Sequence, residues 1–340
     1  LRGLLRDVVG DRAISASPSR LTLDFDGSVL STKARRIEGT AIGYNTKRKG
    51  ARSYYPLFAT VAQTGQAFDV LHRAGNCHDS RDAKEFILEC FAALRTKGFR
   101  GQAEARMDSA HFSDATCSAL DANDIEFSVT VPFERILELK AVIESRRNWR
   151  RLDDEWSFFP WTWRPSQKST RPYRCIVFRR RVRKPQAGPI QLDLFQPTDR
   201  EYEFKVVLTN KEVGAKSILD YHDGRGAQEG YFAELKTDLP MEYLPSRRLV
   251  GNQVWLLSTL LAHALTRELQ MCAAPPRHAR NTPNRQPLWQ LERVGTLRKS
   301  IIQRAARLTR PAGRLMITFA KSPAVEHEIE RLLRPWGRAA

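Results

Sequence analysis

The sequence has few cysteines, no long apolar run and too few acidic residues to balance its basic ones, and each shortage excludes a class of protein. Its five cysteines are scattered and no two have CxxC spacing, so neither a zinc site nor a disulfide framework is indicated. The longest apolar run, residues 254–265, contains His263 and is too short to span a bilayer. No signal peptide is recognisable. We therefore expect reduced thiols, a cytoplasmic location and no membrane partner.

Motifs for several common chemistries are also missing. The sequence contains no Walker loop, no HExxH and no GxSxG. Their absence argues against ATP hydrolysis on a P-loop, zinc proteolysis and acyl transfer from a nucleophile elbow. We expect no small-molecule substrate.

Basic residues outnumber acidic ones along the chain. The 340 residues include 56 Lys and Arg against 38 Asp and Glu, which gives a formal net charge of +18 at pH 7. The hydrophobic content of 41% and the seven tryptophans are typical of a folded protein rather than a basic disordered tail. Such a charge on a folded chain favours a polyanionic partner, most often nucleic acid. A ribosomal or membrane-surface protein can carry similar charge.

Two aspartates lie in the first strand that the sequence predicts. Apolar and polar residues alternate over residues 21–26, which is typical of a strand with one apolar face. Asp24 and Asp26 share the other face, and burying both carboxylates is costly unless a cation lies between them and a partner. The pattern also fits a plain turn at the strand end, since Gly27 follows Asp26.

A further acid, Asp108, is predicted at the end of a short buried strand. After an initial three-strand meander, predicted strands alternate with helices, which is typical of an α/β fold with a mixed sheet. Ligand sites in such sheets lie beyond the carboxyl ends of the strands, where Asp108 is placed. Asp79 or Ser80 is expected to cap the helix before this strand. His111 is interpreted as a surface residue, with a ligand role as the alternative.

A third acid, Glu229, is predicted on a helix that contains an unusual number of glycines. Tyr221, Arg225 and Glu229 fall four residues apart and therefore share one helix face. Glycine costs stability inside a helix, yet three occur near this acid: Gly224, Gly226 and Gly230. They indicate that something bulky approaches the backbone near Glu229. The alternative is a solvated helix in which Glu229 only pairs with Arg225.

Residues 149–210 differ in composition from the rest. Aromatic residues crowd the start of this segment, and two β-like runs follow, which predicts a β-rich insertion outside the alternating layer. Arg179, Arg180 and Arg181 begin a dense basic run. Basic groups beside aromatic rings can hold a nucleic-acid strand through phosphate pairing and base stacking. A small hydrophobic core explains most of the tryptophans equally well.

Asp26, Asp108 and Glu229 form a candidate triad. Three carboxylates brought together can bind two divalent cations about 4 Å apart, and their hard oxygen atoms suit Mg²⁺ or Mn²⁺. One cation would activate a water or a 3′-hydroxyl, and the other would stabilise the leaving oxygen of a displacement at phosphorus.

These segments resemble the three motifs of DDE-type insertion-sequence transposases, most closely the insertion sequence 1380 group. The motifs are residues 23–29 with Asp26, residues 106–112 with Asp108, and the series Tyr221, Arg225, Glu229 and Lys236. The resemblance covers nearly the whole chain, since residues 43–45, 54–57 and 72–76 are also similar to that group. It implies an RNase H-like core, a mixed sheet flanked by helices, with a β-rich insertion before the glutamate helix.

The resemblance also implies an activity and a set of partners. It implies Mg²⁺-dependent strand cleavage at transposon ends and strand transfer into target DNA, with Asp26, Asp108 and Glu229 as metal ligands. Tyr221, Arg225 and Lys236 would contact double-stranded DNA near the scissile phosphate. A homodimer assembled on DNA and a bacterial, nucleoid-associated location are further expectations from the resemblance.

With the resemblance, the chain is predicted to have five parts. These are a basic lead-in (1–19), the first part of the RNase H-like core (20–148), the β-rich insertion (149–212), the second part of the core (213–272), and a basic linker and tail (273–340). Further predicted elements are a helix over 133–147, a buried helix over 248–271, an arginine-rich helix over 293–310 and a strand over 314–319.

The sequence departs from the family pattern at three places. Three residues rather than two separate Tyr221 from Arg225, and the first motif offers Asp24 as well as Asp26. We favour Asp26, because a hydroxyl residue usually follows the ligand by two positions and Ser28 fits. From the resemblance, we also expect the chain to lack the family's upstream DNA-binding region. An RNase H-type nuclease without strand transfer and a catalytically inactive DNA-binding remnant are the rival interpretations.

Overall fold

The structure is a computed structural model that describes residues 1–43, 45, 48–164, 172–182, 202–277, 288–319, 322–335 and 337. Its helices are α1 (Arg2–Ala16), α2 (Ala83–Thr96), α3 (Asp114–Ala122), α4 (Leu137–Ser145), α5 (Ala215–Asp223), α6 (Ala227–Thr237), α7 (Leu249–Ala273), α8 (Val294–Leu297) and α9 (Pro323–Leu333). Its strands are β1 (Arg20–Gly27), β2 (Leu30–Thr32), β3 (Ala41–Ile42), β4 (Arg52–Tyr54), β5 (Leu57–Val61), β6 (Gln66–Leu71), β7 (Gln102–Met107), β8 (Ile125–Thr130), β9 (Arg150–Arg151), β10 (Trp156–Trp163), β11 (Tyr173–Arg181), β12 (Tyr202–Thr209), β13 (Ala306–Thr309) and β14 (Met316–Phe319). None of these described helices combines the length and apolar composition that crossing a membrane requires.

A mixed sheet forms the centre of the protein. Its strand order is β6-β5-β1-β7-β8-β12-β11-β10-β9, and β1 pairs antiparallel with β5 and parallel with β7. Strand β7 in turn pairs parallel with β8. The antiparallel meander β1-β5-β6 followed by two parallel strands confirms the RNase H-like fold class expected from the sequence.

The two faces of β1 pack against different helices. Phe25 lies against α2, where its ring centroid is 6.2 Å from that of Phe86 and 6.1 Å from that of Phe91. The opposite face carries the even-numbered residues and is covered by α5 and α6. There Phe58, the register partner of Asp26 on β5, meets Phe232 of α6 with a centroid distance of 5.0 Å. The alternation of the first strand therefore separates an apolar layer from a polar one.

The predicted basic lead-in is instead a helix, α1, packed on β6 and α7. Leu5, Val9 and Ala13 recur at helical spacing and are fully buried. Its arginines are also used, because Arg2 donates to the fully buried Asp69 carboxylate at 2.7 Å and Arg6 pairs with the same group. A buried carboxylate needs such partners, so these two positive charges serve the core.

The β-rich segment extends the central sheet, which corrects the expectation that it lies outside the alternating layer. Strand β12 pairs with the free edge of β8 at Val207 and Thr130, and β11, β10 and β9 follow in antiparallel register. The sequence predicts strands in this segment, but it does not predict that they pair with β8, which is distant in the sequence. Pairing covers an edge that would otherwise expose a row of backbone hydrogen-bonding groups.

Helical predictions near the C-terminus were partly wrong. The buried helix over 248–271 is confirmed as α7, and the strand over 314–319 as β14. The arginine-rich helix over 293–310 is not formed: α8 and a π-helical turn, Arg298–Ile302, end before β13. Strand β13 pairs with β14 instead.

The helix predicted over 133–147 is also not continuous. This segment consists of a 3₁₀ turn, Phe133–Arg135, and the shorter α4.

Candidate active site

The parallel pairing of β1 and β7 places Asp26 and Asp108 at the same end of the sheet. The register joins Asp24 to Arg106 and Phe25 to Met107, so the next step along both strands brings the two acids side by side. Asp108 ends its strand, and its carboxylate accepts a hydrogen bond from the Ala110 amide at 2.9 Å. Asp26 is the second-last residue of β1 and Asp108 directly follows β7, so both acids lie at the carboxyl end of a central strand, as the sequence predicts.

The polar side chains that precede Asp26 and Asp108 along the two strands already have hydrogen-bond or ion-pair partners. The Thr22 hydroxyl donates to Glu104, and Lys211 Nζ lies 2.5 Å from the other oxygen of that carboxylate. One step further up, Arg106 donates to both oxygens of Asp24 at 2.5 and 2.7 Å. Asp24 is 2% exposed and is fully engaged in this pair. Each of these buried carboxylates thus has a cation within hydrogen-bonding distance.

Asp26 and Asp108 lack such a match. Burial and the neighbouring Asp108 charge raise the pKa of Asp26 to about 7, although Arg225 and the Gly27 amide oppose the shift. Arg225 Nη1 lies 3.7 Å from Asp26 Oδ2, which is longer than a hydrogen bond. Two adjacent carboxylates with one distant guanidinium leave uncompensated negative charge. This is the arrangement in which a divalent cation with oxygen ligands is favoured.

Glu229 lies in the first turn of α6 and is exposed. The residue before it, Gln228, is buried and its amide donates to the Asp24 carbonyl at 3.3 Å, which anchors this turn next to β1. The three acids are nevertheless not gathered into one cluster. Over the part of the chain that the structure describes, no three His, Cys, Asp or Glu side chains are arranged so that they could hold a metal ion.

The predicted Glu229 helix is not a single α-helix. A 3₁₀ turn, Gly224–Gly226, separates α5 from α6. Tyr221, in α5, faces the sheet, with its ring centroid 5.3 Å from Arg106 Cζ and 4.4 Å from Lys211 Nζ. Its burial raises its pKa well above the ordinary value. Tyr221 and Arg225 therefore both face the side of β1 that carries Asp24 and Asp26, and the contact of Tyr221 with DNA stays a prediction.

The other residues expected to bind DNA lie in three environments. Lys236 is in the last turn of α6 and pairs with Glu242 at 3.2 Å. Arg225 is half-buried beside Asp26. On β11, the Arg179 guanidinium lies over two aromatic rings, whereas Arg181 is exposed.

Sequence reasoning missed or misinterpreted four residues near the acids: Tyr55, Arg73, Asp79 and His111. Tyr55 packs on Gly27, where a Cβ atom would lie 2.5 Å from the tyrosine hydroxyl, so a larger residue after Asp26 would displace the Tyr55 ring. Burial raises the pKa of Tyr55, and its hydrogen bond to Asp79 and the charge of Asp79 raise it further. Asp79 does not cap α2, contrary to expectation, and neither does Ser80. The helix begins after Asp82, whose backbone is left-handed with φ 58° and whose side chain makes no capping bond.

Arg73 explains why Asp79 lies here. This buried guanidinium donates to the carbonyls of Asp79 and Arg81, each at 3.0 Å. Its Cζ atom lies 5.3 Å from the Tyr55 ring centroid. These bonds fold the loop before α2 toward the acids. These hydrogen bonds go to backbone carbonyls, which every residue type carries, so the identities of the loop residues gave no signal for them.

His111 is buried rather than on the surface, which corrects the sequence interpretation. It is 1% exposed, and neither ring nitrogen has a hydrogen-bond partner among the described residues. The 3₁₀ turn Ser109–His111 folds the ring back so that Nε2 lies 4.0 Å from Asp108 Oδ1. Burial lowers its pKa. The three-residue spacing from Asp108 was the available signal.

We predict that Arg179→Ala lowers thermal stability more than Arg181→Ala does. The Arg179 guanidinium lies 4.3 Å from the ring centroids of both Trp149 and Tyr202, so its loss removes two cation–π contacts worth about 1–2 kcal/mol. Arg181 is exposed at the end of β11. Both substitutions remove one positive charge, so thermal unfolding compared with DNA binding at two salt concentrations separates the roles. An unchanged melting temperature in Arg179→Ala would contradict this.

Comparison with known proteins adds the following. The chain matches the family model described as transposase DDE domain group 1 over residues 4–335. Among solved structures it is similar to a piggyBac transposase synaptic complex with hairpin DNA, with a TM-score of 0.45 and 10% sequence identity. That alignment covers 72% of this chain and 46% of the other, so the chain spans less than half the length of that transposase. No curated protein matches the chain.

Proposed function

Because the chain belongs to the group 1 family of DDE transposase domains, we propose that it is the transposase of a bacterial insertion sequence, of the 1380 group. In this proposal it cleaves phosphodiester bonds at transposon ends and transfers the strands into target DNA. Asp26, Asp108 and Glu229 carry the chemistry.

One observation carries the proposal. Asp26 and Asp108 adjoin at the ends of two parallel strands, and burial together with their mutual repulsion raises the Asp26 pKa to about 7. Two adjacent carboxylates without a counter-charge lower the stability of the folded state, whereas a cation-binding site requires them. The contrast with Asp24, which is fully paired with Arg106, favours Asp26 as the first ligand.

The donor set fits Mg²⁺ or Mn²⁺. Asp26 and Asp108 supply hard carboxylate oxygens, and Glu229 would supply the third carboxylate from the exposed first turn of α6. Two bound cations would activate the attacking oxygen and stabilise the leaving one. The residues of the chain supply position and charge. The strands fix the two aspartates, and Arg225 lies beside them as a donor for a DNA phosphate.

DNA is the proposed macromolecular partner. The net charge of +18 supplies long-range attraction to phosphates, and exposed Arg181 adds a local contact. The further expectations remain proposals: a homodimer assembled on DNA, a cytoplasmic and nucleoid-associated location, and the five-part domain division.

A joined-product assay tests the function. The purified chain is incubated with labelled transposon-end DNA, a supercoiled target and Mg²⁺ or Mn²⁺. We expect metal-dependent nicking followed by covalent joining of the end to the target. Cleavage without joining would support the rival RNase H-type nuclease, and metal-independent DNA binding without cleavage would support the inactive remnant.

A further inference from the structure

Gly224 is approached closely by a side chain of the protein itself. A Cβ atom at this position would clash with Arg106 Nη1 and would lie 3.2 Å from Arg106 Cζ, whereas at Gly226 and Gly230 it would meet no atom within 4 Å. A close contact therefore explains the glycine at Gly224 but not those at Gly226 and Gly230. The bulky group that the sequence indicates is, at Gly224, the Arg106 guanidinium.

Arg106 links three elements. It donates to both carboxylate oxygens of Asp24 on β1, and its Nη1 donates to the carbonyl of Tyr221 in α5 at 2.8 Å. Burial works against the charge of Arg106, but the hydrogen bonds that it donates to Asp24 raise its pKa and keep it protonated. The planar guanidinium has five donors in a fixed geometry. It therefore sets a distance and an angle between the sheet and α5.

This link lies one step below the proposed active site. Asp24 and Arg106 each precede a proposed metal ligand, Asp26 or Asp108, by two residues, which is about 7 Å along a strand. The carbonyl of Tyr221 precedes Arg225 by four residues, about one helical turn. A shift of the helical segment at this point would move Arg225 and Glu229 relative to both aspartates.

We propose that Arg106 is a positioning residue that places the helical segment carrying Arg225 and Glu229 over the Asp26–Asp108 pair. Gly224 is the glycine that allows this contact. The inference rests on the proposed function, because the position matters only where the three acids act together. A misplacement of about 1 Å at a reacting centre can cost about 100-fold in rate.

Gly224→Ala tests this proposal, with Gly214→Ala as the matched control. Gly224 has φ −55° and ψ −20°, which alanine adopts readily, so only the clash with Arg106 opposes the substitution. Gly214, at the start of α5, has open space around it. We expect Gly224→Ala to cleave about 100-fold more slowly at saturating DNA and to require several-fold more Mn²⁺ for half-maximal binding. Gly214→Ala should resemble the wild type.

A second pair of variants covers loss of folding. Arg106→Lys keeps the charge but lacks the planar fork, so we expect it to fold and to share the Mn²⁺ and rate defects. In an Arg106→Gln background the clash is gone, and adding Gly224→Ala should cause little further loss. Equal Mn²⁺ midpoints and rates in wild type, Gly224→Ala and Arg106→Lys would overturn the inference.

The two proposals fail differently. If the wild type binds Mn²⁺ but does not cleave DNA, the proposed function is overturned, while the Mn²⁺ midpoints of the Gly224→Ala and Gly214→Ala variants still decide the inference. If the wild type cleaves and Gly224→Ala cleaves equally well, only the inference fails.

Discussion

Asp26→Asn is expected to abolish DNA cleavage and, at the same time, to raise the melting temperature at pH 8. The pKa of Asp26 is raised to about 7 by burial and by Asp108. The folded state therefore binds a proton more tightly than the unfolded state does, so Asp26 costs stability increasingly as the pH rises from about 4 to about 7, and the full cost is present above pH 7. Asparagine removes the charge and retains the shape, so the cost disappears together with a metal ligand.

The magnitude follows from the pKa shift. Each unit corresponds to about 1.4 kcal/mol, and partial solvent access at Asp26 reduces the gain, so we expect about 1–2 kcal/mol at pH 8. The gain should shrink as the pH falls through 7, because the wild-type carboxyl then takes up its proton and recovers the lost stability. Metal-free thermal unfolding between pH 6 and pH 8 measures both quantities.

Asp24→Asn is the matched control for this prediction. It lies two residues earlier on the same strand face, but its carboxylate is paired with Arg106. Removing it leaves a buried guanidinium without its partner and should lower stability by about 3 kcal/mol. The same chemical change thus has opposite effects at the two positions. A stabilised Asp24→Asn, or an Asp26→Asn that still cleaves DNA, would contradict the assignment of Asp26.

Glu229→Gln is expected to reduce cleavage by about 10³-fold or more without changing stability or DNA affinity. Glu229 is exposed, and the described structure gives its carboxylate no ion-pair partner, so the fold does not depend on its charge. Its proposed role is in the chemistry alone. Cleavage kinetics, a binding titration with transposon-end DNA in Ca²⁺, and thermal unfolding measure the three effects separately.

Glu234→Gln on the same helix provides the comparison. Its carboxylate is 2.5 Å from Arg267 Nη2 and accepts a hydrogen bond from the Val294 amide at 2.7 Å. We expect this variant to lose stability and to retain cleavage at temperatures where it is folded. Wild-type cleavage by Glu229→Gln would refute the third position of the triad.

Much of the fold could be predicted because its signals are local. Alternation identifies β1, helical spacing of apolar residues identifies α2 and α7, and the order of elements indicates a mixed sheet. The extension of the sheet by β12 and the pairing of β13 with β14 depend on contacts between distant parts of the chain. Helix α1 is an exception, since the spacing of its buried leucine, valine and alanine was a local signal that its arginines obscured.

The candidate site shows the same division. The ends of β1 and β7 could be predicted to bring Asp26 and Asp108 together, since parallel strands share an edge. The 3₁₀ turn that separates α5 from α6 could not be predicted in this way, and the position of Asp79 depends on hydrogen bonds from Arg73. Side-chain directions set by turns and loops are not encoded in residue spacing.

The most direct test of the central claim is anomalous diffraction from crystals of the full chain soaked with Mn²⁺. The account predicts Mn²⁺ bound by Asp26 and Asp108, with Glu229 brought into contact as the third ligand. Mn²⁺ bound elsewhere, or Asp26 and Asp108 left without Mn²⁺ at saturating concentration, would contradict the proposal that these carboxylates form a metal-dependent DNA-cleaving site.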